Sequence, residues 1–405
     1  VISAHYPPYH YGGYELRIRN IIDGLSEKGH QVLVLSNRLI KQSKELNEYG
    51  NYLVLRKLNL RSFSRFFPKE ILFDIFDTKT LEKIINQFRP DKIYLGHTYP
   101  FSKALLPFLA SLQIPIVYDE GGVSMTNAWE DHGRWFRFLH EYSSRFFLIK
   151  WIKPYFIAII RKLSQRRIKT EWIWPKNLTL ICNCKNIYEN IITKDIPFRE
   201  AKIIYSGIDL YKFSFQKKEK LSKNPTIICP GMIVPRKGQQ DALYLLETLR
   251  NYRINANLIL VGAHASENYI EKIKEVNAEK NLIRNISILP MINQNKLIEL
   301  YQKSDICFFS SHQHLGFSRT PLEAMACGCI VITYGNEGSN EIIENQKNGF
   351  LVDFQDYTQI SEIIVQLNHN PNFKQEITKQ ARKDIEEKYS LNRYIDQIEE
   401  AISEK

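Results

Sequence analysis

The chain has 405 residues, 44% of them hydrophobic and 24% charged, with a formal net charge of +11. This composition is that of a globular chain, and the length exceeds one ordinary core, which predicts two domains. No run of roughly 18 apolar residues occurs, which argues against a membrane-spanning helix, and the basic balance favours a partner bearing phosphates or an anionic surface.

Read in chain order, Val1–Ser3 is a strand leading into a loop, Ala4–Gly13. A helix over Tyr14–Gly29 follows, with Leu16, Ile18, Ile21, Ile22 and Leu25 near a 3.6-residue period, and then a strand over His30–Asn37. Two further helix-then-strand units span Leu81–His97 and Ala104–Gly122. Helices alternating with Pro-bounded apolar strands predict a parallel sheet wound with helices, an α/β class.

Residues 134–173 interrupt this pattern. Arg134, Arg137, Arg145, Lys150, Lys153, Arg161, Lys162, Arg166, Arg167 and Lys169 are interleaved with aromatic and aliphatic residues and face only Glu141 and Glu171. A basic amphipathic stretch of this kind suits an anionic membrane surface; a helical insertion with a solvated basic face is the alternative. Nucleic acid is not expected as a partner.

A polar, lysine-rich connection after Tyr205 marks a domain boundary, giving a first domain over 1–205 and a second over 206–390. The second half repeats the alternation: strand Thr226–Gly231, helix Asp241–Tyr252, strand Ala256–His264, helix Glu267–Asn281, strand Asn285–Met291, helix Gln294–Ser304 and strand Asp305–Ser311. Residues 391–405, with a helix from about Asn392, have no sheet partner in sequence and are expected to pack back on the first domain. Cys182, Cys184, Cys229, Cys307, Cys327 and Cys329 form no C-x-x-C pair and read as buried free thiols rather than a zinc site.

Two loops in the second half carry chemistry. "GMIVPRKG", Gly231 to Gly238, lies between a strand and a helix. Its glycines allow close backbone approach, and Arg236, Lys237 and the following helix N-terminus favour a phosphate. "HLGFSRTPLEAMACGCIVITYG" runs from His314 to Gly335. Thr320 as N-cap, Pro321 as first helical residue and Glu323 as third would form a capping box, with Gly328 as the stop and Ile330–Thr333 in a buried strand. Glu323 therefore has two readings, a cap or an acceptor for a ribose diol. Open α/β sheets bind ligands at strand carboxyl ends, so two such domains predict a site in a cleft between them.

In combination these segments resemble the family-4 retaining glycosyltransferases of the GT-B fold. The resemblance rests on Tyr6–Ser36, "GMIVPRKG", "YQKSDICFFSS", "GFSRTPLEAMACGCIVITYG" and "EIIENQKNGFLV", and covers nearly the whole chain. It implies two Rossmann-like, doubly wound domains facing across a cleft and a nucleotide-sugar donor carrying UDP or GDP. It also implies a diphosphate held without metal or other cofactor, and transfer with retention. By position, Gly12 and Gly13 correspond to the first-domain glycine loop and Lys237 to the diphosphate lysine. Gly231 allows the donor's close approach. Gly316, Phe317 and Ser318 correspond to the loop whose amides reach phosphate and sugar, and Glu323 to the ribose ligand.

The departures are Leu315, where the family has a sugar-binding glutamate, and Met232, where it has an arginine; Arg236 is the candidate substitute for the latter. The histidine expected after "IPIVY" is not evident; Asp119 and Glu120 lie there, and His97 ends a neighbouring strand. The expected catalytic set is Lys237, Arg236, His97 and Glu120. The expected acceptor is a glycan or lipid-linked sugar of a cell-surface polysaccharide or glycolipid, reached from the cytoplasm or the inner membrane face. Leu315 and Met232 also motivate a rival reading, a non-catalytic nucleotide-sugar binding subunit. The absence of G-x-G-x-x-G after a strand weakens a dinucleotide oxidoreductase.

Overall fold

A computed structural model describes residues 1–8, 13–38, 46–49, 51–59, 67–96, 98, 101, 104–122, 124–130, 147–169, 171–264, 266–280, 282, 285–312, 316–336 and 338–404. The chain forms two units: Val1–Ile204 with Ile395–Lys405, and Tyr205–Tyr394. Among the described residues no helix is long and apolar enough to cross a membrane.

In the first unit Ile2 is the pivot. It bridges in parallel to Leu35 of β1 (Leu33–Asn37) on one side and to Leu95 of β4 (Ile93–Leu95) on the other. Beyond β1 lie β3 (Tyr52–Leu58) and then β2 (Leu46–Tyr49), which is antiparallel to β3. Beyond β4 lie β5 (Ile116–Glu120), β6 (Leu178–Cys182) and β7 (Glu200–Ile203), all parallel. Strand order thus runs outward in both directions from Ile2, the doubly wound arrangement.

The helix Gly13–Glu27 buries Ile18, Ile21, Ile22 and Leu25, as the apolar period predicts, and Gly29 at φ 91° follows its end. Gly24 gives the last helix, Leu391–Ser403, its closest approach: a Cβ there would lie 2.2 Å from Ile395 Cδ1. Lys28 pairs with Asp396 and Glu399 at 2.6 Å each, and Lys202 with Glu404 at 2.5 Å, so Ile395 onward is fastened within this unit.

The second unit carries six parallel strands in the order β10-β9-β8-β11-β12-β13. They span β8 (Thr226–Pro230), β9 (Asn257–Val261), β10 (Ile286–Leu289), β11 (Ile306–Phe309), β12 (Ile330–Thr333) and β13 (Phe350–Leu351). Its core joins Ile227, Leu258, Leu260, Ile306, Phe308 and Ile332 of the sheet to Leu243, Leu246 and Leu249 of the helix Asp241–Asn251. Strand order reverses between β8 and β11, which opens a crevice beyond their carboxyl ends. Tyr205 belongs to this unit, its ring 5.3 Å from Phe317 and 5.9 Å from Tyr389. All six cysteines are buried and free.

Candidate active site

Beyond β8 the chain turns at Gly231, whose φ of 140° is outside the range of residues with a Cβ, and whose Cβ side is open space. A single 3-10 turn, Pro235–Lys237, then leads to Gly238 in the left-handed region at φ 63°. A Cβ on Gly238 would fall 2.1 Å from the Ser310 carbonyl and 2.5 Å from His312 Nε2, so the loop lies flat against the chain leaving β11.

That chain straps the loop down. The His312 amide donates to the Arg236 carbonyl at 2.9 Å, the Ser311 hydroxyl to the same carbonyl at 3.4 Å, and the Ser310 hydroxyl to the Lys237 carbonyl at 3.1 Å. His312 Nε2 in turn lies 2.6 Å from Asp241 Oδ2, a buried carboxylate at the start of the next helix. Asp241 also accepts from the Tyr334 hydroxyl at 2.9 Å and from Gln355 Nε2 at 3.3 Å. The backbone of Arg236–Gly238 is therefore fixed by its carbonyls, while the Arg236 side chain is exposed and Lys237 half-exposed. Lys237 Nζ stands 5.4 Å from the centre of the Phe309 ring, at the end of β11. Met232, at the position where the resemblance implies an arginine, is largely solvent-facing.

The second loop differs from the sequence expectation in one respect. The helix spans Arg319–Cys327 with Ser318 as N-cap in extended conformation, and the Ser318 side chain makes no capping hydrogen bond among the described residues. Thr320 is thus the second helical residue and Glu323 the fifth, so the expected capping box does not form: Glu323 lies beyond the first turn, out of reach of the N-cap amide. The helix opens two residues early because Ser318 already takes the extended geometry a cap requires. Its first amides keep no side-chain partner from Ser318 and face the loop end of the helix. Gly328 ends it at φ 89°, as expected.

The Glu323 side chain is 13% exposed. One oxygen lies 3.4 Å from Arg319 Nε and the other accepts weakly from the Tyr301 hydroxyl at 3.3 Å. Burial raises the carboxyl above its ordinary range, and the Arg319 charge opposes that shift. Arg319 Nη1 is buried with no hydrogen-bond acceptor among the described residues. Gly316 and Phe317 are buried; the Phe317 ring packs on Tyr205 and Tyr389, which anchors the loop from behind.

In the first unit the acidic pair at the end of β5 is held by neighbouring groups. Glu120 accepts from the amides of Gly122 at 2.7 Å, Ser124 at 3.3 Å and Met125 at 2.5 Å. Both its oxygens accept backbone amides at the start of the helix Ser124–Glu130, as a capping carboxylate does. Asp119 is held 2.5 Å from Arg17 Nη2 and accepts from the Tyr94 hydroxyl at 2.7 Å, both in the core. Gly13 is the exposed first residue of its helix. Gly12, His97 and Leu315 lie outside the described residues.

Two groups beside the candidate site were passed over in the sequence. Arg319 stands four residues before Glu323, a spacing that pairs side chains on any helix and was readable as such. The His312–Asp241 contact joins residues 71 apart, and no local signal announces it.

The chain matches two family models in tandem, Glycosyltransferase Family 4 over residues 11–212 and Glycosyl transferases group 1 over residues 211–384. An uncharacterized glycosyltransferase of Methanocaldococcus jannaschii, MJ1607, is 22% identical over 96% of this chain and 94% of its own length. The capsular polysaccharide biosynthesis glycosyltransferase CapM of Staphylococcus aureus is 23% identical over 92% and 90%. Among solved structures, Anabaena Alr3699/HepE in complex with UDP-glucose superposes with a TM-score of 0.68 at 17% identity, covering 99% of this chain and 98% of that one. The two wound sheets have the GT-B fold of such neighbours. This chain belongs to the group 1, family 4 glycosyltransferases.

Proposed function

We propose that this glycosyltransferase moves a sugar from a nucleoside-diphosphate sugar, UDP- or GDP-linked, to an acceptor hydroxyl with retention of configuration. The reading is carried by one observation. The glycine-framed loop bearing Lys237 and the helix start bearing Glu323 follow β8 and β11, the two strands at which the second sheet reverses. HepE bound to UDP-glucose and CapM in capsular polysaccharide synthesis supply the donor and product classes by likeness.

In this reading the bond between the anomeric carbon and the diphosphate oxygen breaks, and the acceptor oxygen bonds to that carbon on the same face. The acceptor proton passes to the leaving phosphate, so no protein base is required. Lys237, with Arg236 available from solvent, and the amides of Gly316–Arg319 oppose the charge that develops on the diphosphate; this is electrostatic stabilisation by groups already in place. No metal or other cofactor is assigned a part. Glu323, ionised, accepts both hydroxyls of the ribose. Synthesis of a cell-surface polysaccharide or glycolipid at the inner face of the membrane completes the proposal.

Incubation with a panel of nucleotide sugars and acceptors tests it. Release of UDP or GDP only when an acceptor is present, with a product of the donor's anomeric configuration by NMR, is the expected result. Tight donor binding without turnover for every acceptor would instead favour the non-catalytic subunit that Leu315 and Met232 suggest.

A further inference from the structure

The helix Phe147–Leu163 is apolar on two sides. One side is core: Ile160 is 2% exposed and packs with Ile71, Ala104 and Ile168, with Phe156 and Ile157 against them. The other faces water. Ile152 is 60% exposed, Tyr155 74%, Ile159 56% and Leu163 61%, with Trp151 at 67%. At 100° per residue these five positions fall within a sector of about 120°. A soluble helix places its apolar sector in the core; here an adjoining sector does so, and this one is left exposed.

At the end of this helix the chain doubles back through Gln165 and Arg166, both at positive φ. Beside the turn lies a cavity of about 920 Å³ whose charged lining, among the described residues, is Arg161, Lys162, Arg166, Lys169 and one acid, Glu171. The neighbouring Arg167 is committed to the fold, its Nε 2.6 Å from Glu82. Lys162, Arg166 and Lys169 make no ion pair among the described residues. The one helix thus carries an exposed apolar sector and, at its end, residues that line a basic cavity; the pair matches an amphiphile with an anionic head.

We propose that this cavity seats the phosphate head group of an anionic phospholipid while the sector headed by Ile152 and Tyr155 lies in the lipid interface. The proposal rests on the placement at a membrane given above and adds to it a defined site. It is independent of the donor chemistry.

Sedimentation of the full chain with vesicles of phosphatidylcholine, with and without phosphatidylglycerol, tests it. Binding is expected to the anionic vesicles and not to the neutral ones. The triple variant Lys162→Gln, Arg166→Gln, Lys169→Gln should weaken it about a hundredfold, from roughly 1 kcal/mol for each basic residue near the lipid. A control of equal net charge, Lys223→Gln, Lys274→Gln, Lys303→Gln, should bind within a few-fold of wild type. The double variant Ile159→Glu, Leu163→Glu should abolish binding. Donor turnover with a soluble acceptor, unchanged in all three, confirms that they fold. Equal losses in the cavity and control variants would overturn the head-group site while leaving the membrane placement intact. Failure of wild type to bind anionic vesicles would remove both. Vesicle-independent self-association that the double variant abolishes would assign the apolar sector to a second copy instead.

Discussion

The two units share a winding plan, but the acids each was expected to bring to the chemistry are held in opposite ways. In the first, Asp119 and Glu120 are buried and fully used: one by Arg17 and Tyr94, the other by three amides. In the second, Glu323 is nearly as buried but has, among the described residues, only a 3.4 Å ion pair and a 3.3 Å hydrogen bond. A sequence presents all three as acids in the segments of a wound sheet where a ligand is expected. What separates a structural carboxylate from one kept for a ligand is how much of its acceptor capacity the protein itself fills.

The largest expected effect lies on the saturated side. Arg17→Met leaves the buried Asp119 carboxyl without its cation, which should destabilise the fold by about 3–5 kcal/mol, read by denaturant unfolding. A loss under 1 kcal/mol would mean that the first unit's acids are not structural. Next comes Lys237→Ala, expected to lower kcat by roughly 10²–10³-fold with little change in melting temperature, the scale for removing one group that faces developing negative charge. A parallel loss of stability would put Lys237 with the fold instead.

A matched pair of substitutions sharpens the contrast directly. Glu323→Gln keeps size and one acceptor but loses the charge, so donor affinity should fall by about 10–100-fold, the worth of hydrogen bonds to a charged group. Glu120→Gln should lower the melting temperature while kcat/KM per folded molecule stays at the wild-type value. Calorimetry and steady-state kinetics on both proteins read the two quantities; equal behaviour of the pair would erase the distinction.

How much of this was legible in the sequence follows the range of the interactions. The wound plan was readable because apolar periodicity and Pro or Gly punctuation are local, as in the helix Gly13–Glu27 and the strands β8 to β11. β2 and β3 went unread, as did β6 and β7. Beside the candidate site, the backbone roles of Gly231 and Gly328 were readable from local demands on the chain. The capping box failed because the same S/T-x-x-E letters are present at Thr320 whether the helix starts there or at Ser318. The amides that Glu120 accepts come from a turn with no cap signature of its own, so this contact was not legible. The strap from Ser310, Ser311 and His312 onto Arg236–Gly238 joins residues more than 70 apart, which no window can see.

The smallest expected effect bears on the half-filled acid itself. Burial is the main reason the Glu323 carboxyl titrates above its ordinary range, and the Arg319 charge is the main force pulling it back. The ionised form accepts from a diol, so donor affinity is present above this pKa and lost as pH falls through it. Arg319→Met removes the opposing charge, moves the pKa further up and carries the acid limb of donor binding to higher pH. At a fixed, mildly acidic pH the variant should bind donor a few-fold more weakly than wild type, and the gap should close as pH rises. Arg319→Lys should restore part of the difference, because it returns the charge without the guanidinium's geometry. A gap that persists unchanged at high pH would show that Arg319 contacts the donor directly, and the unpartnered Nη1 would then be its point of attachment.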